Sequence, residues 1–303
     1  MPMDDVRKVC VLGAGTMGSR ISLVSAVRGG YDVCVYDVSE EALRLAPERQ
    51  KQMGARLIDA GALGQAELDA GLARITFTSD PAKAAENADI LSESIPEVVE
   101  VKRQTHAQFD RLCPSRTVFT TNTSSLLVSD IEDAVSRRDR FAALHFHGGL
   151  GSLVDIMRGP RTSDETVEFL KRFARSIGEV PMVMKKEKGG YLYNTILGGL
   201  IRSALTLAAG GYAEPQDIDR AYMLVTRQPV GPFGMMDGIG LNIVLEAGQG
   251  LTRDEPEVTQ EQMLACVRSL VERGELGAKT GKGFYTYPNP AYQQPDFLTG
   301  EGR

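Results

Sequence analysis

The chain has 303 residues, a length that predicts two domains. Hydrophobic residues make up 42% and charged residues 24%, an ordinary globular balance with enough apolar material for a sizeable core. A formal net charge of −6 argues against general affinity for nucleic acid or anionic membranes, although local basic patches can still hold an anionic ligand. No apolar run approaches the ~18 residues of a membrane helix. The opening residues, MPMDDVRKVCVLGAG, lack the basic region, long apolar stretch and cleavage site of a secretory leader, so a cytoplasmic protein is expected. The cysteines, Cys10, Cys34, Cys113 and Cys266, form no CxxC and have no histidine close by in sequence. Reduced cysteines filling core space are therefore expected, with no disulfide and no metal.

The first element is a buried-strand pattern, KVCVLG, followed by GAGTMG, which reads G-x-G-x-x-G over residues 13–18. SRISLVSAVRGG then has helical apolar spacing and a glycine stop, and DVCVYD is a second strand ending at Asp37. Each part has a mechanical reason. Gly13 permits the tight strand-to-helix turn, Gly15 lets the backbone approach a pyrophosphate, and Gly18 lets helix and strand pack closely. The pyrophosphate then sits on free N–H groups at the helix start, where Thr16 and Met17 stand. Asp37, 19 residues beyond Gly18, is placed to accept bonds from the adenosine ribose hydroxyls. A carboxylate there repels a 2′-phosphate, and Val38 and Ser39 supply no arginine for one. The expected cofactor is NAD rather than NADP.

Residues 40–73 read as helices with charged faces. Arg44, Arg49, Lys51 and Arg56 are read as a solvated face rather than as ligands of a substrate phosphate. Next come RITFTSD and ADILSESIP as strands, EVVEVKRQTHAQFDRLC as a helix, then TVFTTNTSSL and RFAALHFHGG as strands. His106, on the helix, is read as a surface residue. Strands alternating with helices predict a parallel sheet covered on both faces, with ligands beyond the carboxyl ends of the strands. Those ends carry Glu93, Ser94 and Glu97, then Asn122 and Ser124, then His145. For Asn122 and Ser124, helix capping or turn formation is the rival reading. After MVMKKEKGG the pattern turns helical: YLYNTILGGLIRSALTLAAGG, EPQDIDRAYML and PVGPFGMMDGIGLNIVLEAG, ending in the basic, aromatic loop GAKTGKGFYTYPNPAYQQP. The fold class is α/β, a Rossmann-like dinucleotide-binding domain over 1–188 followed by an all-helical domain over 189–303.

LHFHGGLGSLVDIM holds two of the three histidines, His145 and His147, with Asp155 ten residues after the first. His145 stands at a strand end, where α/β sites are built, and is read as a catalytic base. His147 lies on the same side of the strand and is read as a second polar group or a partner of Asp155. GGLGS is not a P-loop, because no helix with a lysine follows it.

In their order, VLGAGTMGSRIS, VYDVS, SESIPEVVEVK, TNTSSL, RFAALHFH, GGYLYN, DIDRAYM, PVGPFGMMDGIGL and KTGKGFY resemble the L-3-hydroxyacyl-CoA dehydrogenase family, including its 3-hydroxybutyryl-CoA dehydrogenases, over nearly the whole chain. The resemblance implies an NAD domain, a helical C-terminal domain that forms a homodimer, a cleft between them, and a part in fatty acid metabolism. It implies cofactor roles for Gly13, Gly15, Gly18 and Asp37, and further cofactor contacts at Glu97, Lys102 and Lys279. It implies that Ser124 lies between nicotinamide and substrate, that His145 is the histidine of the family's LHFFNP strand, and that Asn194 is the asparagine of its PGFxxN. The implied reaction is oxidation of a short-chain L-3-hydroxyacyl-CoA to the 3-oxoacyl-CoA, or the reverse. A histidine takes the hydroxyl proton near neutral pH, a carboxylate on its far nitrogen fixes the tautomer, and Ser124 and Asn194 orient the substrate oxygens.

The chain departs from the family pattern at definite places. Asp155 replaces the family's glutamate, its LVEV strand reads LVDI, and the loop before it is shortened. The asparagine–proline after HFF is replaced, so Gly148 offers no side chain there. The family's CoA-contacting serine and lysine fall near Met53 and Ala60, which cannot perform those roles. Three functions follow as expectations: the acyl-CoA dehydrogenase; a dehydrogenase of a free hydroxy acid, of L-gulonate or carnitine type, or of a carrier-protein-bound hydroxyacyl group; and a non-catalytic, crystallin-like NAD-binding protein.

Overall fold

The computed structural model describes residues 6–147, 153–249 and 258–300. It divides into two compact units, Met1–Leu192 and Tyr193–Arg303. Among the described residues no helix is long and apolar enough to cross a membrane.

In chain order the first unit contains β1 (Lys8–Leu12), α1 (Thr16–Val27), β2 (Asp32–Tyr36), α2 (Glu40–Asp59), α3 (Gln65–Leu72), β3 (Ile75–Thr78) and α4 (Pro81–Ala85). It continues with β4 (Ile90–Glu93), α5 (Val99–Leu112), β5 (Val118–Thr121), β6 (Phe141–Phe146), β7 (Leu153–Arg158), α6 (Asp164–Ser176) and β8 (Val180–Met184). The strands form one sheet in the order β3-β2-β1-β4-β5-β6-β7-β8. The reversal of order beside β1 creates the crevice in which doubly wound folds bind dinucleotides.

Strands β1, β2, β4, β5, β6 and β7 are buried along most of their length because both faces of this part of the sheet are covered. Alternation along β1 divides its side chains between two cores. Val9 and Val11 pack with Ile21, Val24, Leu144 and Phe173. Cys10 and Leu12 pack on the other face with Leu91, Phe109, Phe119 and Phe141. Cys10, Cys34 and Cys113 are free and buried, as expected of core fillers, and burial pushes the Cys113 thiol up to about 12.

Two features depart from the sequence expectation. The sheet is parallel from β3 through β6, but β7 runs antiparallel to β6 and β8 runs parallel to β7. The residues between Phe146 and Leu153 are too few for a parallel crossover, which accounts for the antiparallel pairing of β7 with β6. Strand β8 was not anticipated: its sequence, VPMVM, lacks polar–apolar alternation and its Val180, Met182 and Val183 are exposed.

The second unit carries α7 (Leu192–Ala209), whose first residue closes the first unit, then α8 (Pro215–Thr226), α9 (Pro232–Ile239), α10 (Leu241–Gln249) and α11 (Gln260–Glu272). Its core gathers Ile201, Leu205, Phe233, Met236, Val267 and Tyr285. Two buried carboxylates fasten the loops. Asp219 accepts from the backbone N–H groups of Phe233 and Gly234 at 2.8 and 2.9 Å. Asp237 accepts from those of Phe284 and Tyr285 at 2.9 and 2.8 Å, and burial raises both carboxyls above their ordinary values.

Candidate active site

The glycine turn is fitted to its task position by position. Gly13 has φ +100°, and a Cβ there would lie 2.5 Å from the carbonyl oxygen of Ser94. A Cβ on Gly18 would lie 1.8 Å from the Gly13 oxygen. At Gly15 a Cβ would meet nothing within 4 Å, so this side of the turn is open for a ligand's approach. Gly15 caps α1 without a side-chain bond, and the first turn, which begins with Thr16 and Met17, contains no acid. Its orphan N–H groups therefore suit a pyrophosphate. Asp37, at the end of β2, is held beside this turn. Its Oδ2 accepts from the Ala14 N–H at 2.7 Å and its Oδ1 from the Ser39 N–H at 2.9 Å. Each oxygen retains a second lone pair for a ribose hydroxyl. Arg49, read from sequence as part of a solvated face, instead donates to the Ala14 carbonyl at 3.0 Å, tying α2 to the turn.

Beyond β4, Glu97 organises the loop after β5. Its Oε1 accepts from the Ser124 and Ser125 N–H groups at 2.9 and 3.0 Å and from the Thr123 hydroxyl. Lys102 lies beneath it, fully buried, with Nζ 2.7 Å from Glu93 Oε1 and 3.3 Å from Glu97 Oε2. Burial pulls the Glu97 carboxyl up, but the Thr123 bond, the Lys102 charge and the Ser125 bonds outweigh it and hold it below its usual value. Lys102 thus fixes Glu97, which in turn presents Ser124, an exposed residue.

Below this loop lies a network that sequence reasoning missed. His106 is not on the surface: it is buried, 3.3 Å from Glu93 Oε2 and edge-on to Phe141 at 4.9 Å. It sits one helical turn after Lys102, so α5 turns both toward the sheet. Glu93 also accepts from the Thr121 hydroxyl at 2.7 Å. Burial opposes its ionisation, yet His106 and Lys102 hold its carboxyl down at about 2.

His145 is the penultimate residue of β6, directly opposite Asp155 on β7. Asn122, at the end of β5, accepts from the Phe146 N–H at 2.8 Å and so fixes this strand end. The imidazole of His145 is 4.7 Å from the Tyr191 ring and 4.4 Å from the ring of His147. The segment before Tyr191 also closes on the serine loop, because the Gly190 N–H donates to the Ser124 carbonyl at 3.2 Å. Tyr191 is buried at φ +50°, and burial together with the carboxylates of Glu97 and Asp155 raises its phenol. Its place beside His145 was missed from sequence because an aromatic residue in an apolar run ordinarily reads as core.

The acid–histidine pairing differs from the expected one. Asp155 Oδ2 is 2.7 Å from His147 Nε2, a hydrogen bond, but 3.7 Å from His145 Nδ1, which is beyond one. His145 Nδ1 and Asp155 Oδ1 are buried without a hydrogen-bond partner among the described residues. Burial lowers the His145 pKa; Asp155 opposes that shift and the His147 charge adds to it. Burial raises Asp155, but the two histidines outweigh this and leave it below its usual value. The loop containing Gly148 lies outside the described residues.

Thus Gly13, Gly15, Thr16, Met17, Gly18, Asp37, Glu97, Lys102, Ser124, His145 and Asp155 all belong to the first unit. Asn194, half-buried on α7, and Lys279, exposed with Nζ 2.5 Å from Asn242 Oδ1, belong to the second. Met53 lies half-buried on α2 and Ala60 is exposed at its end, and neither offers a polar side chain.

The sequence model of the 3-hydroxyacyl-CoA dehydrogenase NAD binding domain matches residues 8–188, and that of the C-terminal domain matches residues 190–287. The chain is 32% identical to the mitochondrial hydroxyacyl-coenzyme A dehydrogenase of Mus musculus, over 93% of this chain and 91% of that protein. It is 32% identical to a probable 3-hydroxybutyryl-CoA dehydrogenase of Bacillus subtilis, covering 93% and 98%. Among solved structures it resembles a diketoreductase described as acting on dicarbonyl compounds, with TM-score 0.85 and 33% identity over 93% of this chain and 99% of the other. It also resembles the (S)-3-hydroxybutyryl-CoA dehydrogenase of Ralstonia eutropha, with TM-score 0.80 and 30% identity over 94% and 100%. With both of its domains matched in sequence and its glycine turn shaped for a dinucleotide, the chain belongs to the 3-hydroxyacyl-CoA dehydrogenase family of NAD-dependent oxidoreductases.

Proposed function

We propose that this protein interconverts a short-chain L-3-hydroxyacyl-CoA and its 3-oxoacyl-CoA, with His145 as the group that takes and returns the proton. The observation that carries this reading is a buried imidazole near the end of β6, opposite Asp155 and beside the serine loop. NAD, held by the glycine turn and Asp37, supplies the two-electron acceptor. His145 accepts the substrate hydroxyl proton at Nε2, since Nδ1 faces Asp155. Nearby Asp155 stabilises the imidazolium charge across 3.7 Å without fixing the ring by a hydrogen bond. Ser124, presented by Glu97, bonds a substrate oxygen and holds it in reacting geometry, and the family resemblance assigns Asn194 a substrate contact as well. In reduction, protonated His145 polarises the ketone and gives the proton back.

A second reading, oxidation or reduction of a free acid or a carrier-bound acyl group, is favoured by the apolar side chains of Met53 and Ala60. It is also favoured by the likeness to a diketoreductase and, at 27% identity, to a dehydrogenase of a pyridine carboxylate. A panel of acetoacetyl-CoA, acetoacetate and a carrier-bound acetoacetyl group, each reduced with NADH, separates the readings. The first expects the thioester of CoA to be turned over fastest. Turnover of free acids with none of acetoacetyl-CoA sinks it, and NADH binding without turnover of any substrate points to the crystallin-like alternative.

A further inference from the structure

Asp155 gives one oxygen to two imidazoles and leaves the other unused. Its Oδ2 bonds His147 Nε2 at 2.7 Å and lies 3.7 Å from His145 Nδ1. Both Asp155 Oδ1 and His145 Nδ1 are buried without a partner among the described residues. A simple acid–base pair would use at least one of these atoms, since leaving buried polar groups unmet is costly. The donor atoms of His145, His147 and Asp155 all lie within 4.8 Å of one another.

We propose that His145, His147 and Asp155 form a binding site for a borderline divalent transition metal, with Zn²⁺ as its representative, and that occupancy switches the dehydrogenase off. Two imidazoles and one carboxylate form a donor set suited to zinc, cobalt, nickel or iron, and poorly suited to magnesium or calcium. Zinc bonds to nitrogen and oxygen of ~2.0–2.2 Å place tetrahedral donors ~3.3 Å apart. Against the observed 2.7 and 3.7 Å, the histidine–carboxylate spacings need to change by only about half an ångström each. Binding replaces the His147–Asp155 hydrogen bond by two metal bonds and releases the shared proton to water. It also gives the orphaned Nδ1 of His145 a partner.

The third donor is this chain's own feature. His147 stands where the resemblance has a second phenylalanine, in LHFH against LHFF. The switch-off follows from the tautomer: a metal on Nδ1 leaves the imidazole proton on Nε2, the nitrogen that must be free to accept a proton. That consequence rests on the proposed role of His145, whereas metal binding itself does not.

The test uses the full chain stripped with a chelator and dialysed metal-free. Co²⁺ is titrated in and read by its visible absorption, and Zn²⁺ is measured by competition and by calorimetry. One equivalent per chain is expected. His147→Phe and Asp155→Asn are each expected to weaken binding by at least ~10-fold, as loss of a coordinating group costs no less than loss of an outer partner. Asp155→Asn, which is nearly isosteric, decides the matter if His147→Phe fails to fold. Wild-type NADH oxidation should fall in step with occupancy and return when chelator is added. His147→Phe should keep its own metal-free rate at the same Zn²⁺ concentration. Equal binding by wild type and both variants, or no stoichiometric binding, overturns the site. A site that fills without loss of turnover overturns the switch, and faults the assignment of His145 rather than the site.

Discussion

At the scale of single residues, the unusual arrangement is one carboxylate between two histidines. His145 is buried, so its neutral form is favoured and its pKa falls below the ordinary 6.5. In the presence of chelator, the acid limb of kcat/KM for alcohol oxidation should therefore lie below pH 6.5, because the unprotonated base persists to lower pH. Asp155 acts in the opposite sense and raises that pKa. Asp155→Asn should therefore move the limb to still lower pH, while lowering turnover through loss of charge stabilisation. A limb that does not move in this variant would show that Asp155 does not act on His145. Sequence placed Asp155 near His145 correctly, since the two are cross-strand partners. It could not show which histidine takes the hydrogen bond, because that depends on ring rotation and on where His147 lies just past the strand end.

At the scale of elements, the first strand–turn–helix was legible because each glycine has a separate steric reason. Those reasons predict different failures. Gly18→Ala puts a methyl 1.8 Å from a backbone oxygen and should destabilise the first unit, lowering its thermal midpoint. Gly15→Ala meets no protein atom, so it should fold normally and yet bind NADH at least ~10-fold more weakly, by obstructing the pyrophosphate. Normal NADH affinity in Gly15→Ala, measured by fluorescence titration, would remove the cofactor from this turn. Helix α5 was legible as a helix, but its inward face was not. Lys102 and His106 are polar residues turned into the protein by Glu93, a carboxylate that marks the end of a strand in the sequence without revealing its partners. Lys102→Met leaves that carboxylate buried with less compensation and should cost about 3–5 kcal/mol at neutral pH. Glu93 ionises at about 2 in the folded protein against an ordinary 4.5, so its contribution is fully present above pH 4.5 and lost as pH falls toward 2. The variant's deficit, measured by urea unfolding, should therefore narrow as the pH is lowered through that window. A deficit independent of pH would assign it to packing instead. The β6–β7 hairpin and strand β8 escaped sequence reading because alternating βα units predict a uniformly parallel sheet and VPMVM has no strand periodicity.

At the scale of the whole molecule, the order of the two units was legible from the change from strand–helix alternation to continuous helical spacing. How the helical unit is used depends on surfaces that a single chain leaves open. Large apolar side chains are exposed on its helices, among them Ile196 at 71% and Val225 at 85%. The homodimer implied by family resemblance would cover side chains of this kind. Light scattering should give twice the chain mass, and Ile196→Asp should shift the protein toward monomer. A wild-type monomer at micromolar concentration would contradict this use of the face. Fold and cofactor turn followed from local sequence rules, whereas the metal-competent triad needed the hairpin register and side-chain positions.

The central claim is that His145 carries the proton in NAD-dependent turnover. Its most direct test compares wild type and His145→Gln with NADH and acetoacetyl-CoA, in chelator, with NADH affinity measured on the same preparations. The account predicts a fall in kcat of ~10²-fold or more, with little change in NADH binding, as for loss of a general acid–base group. Near-normal turnover in the variant would contradict it.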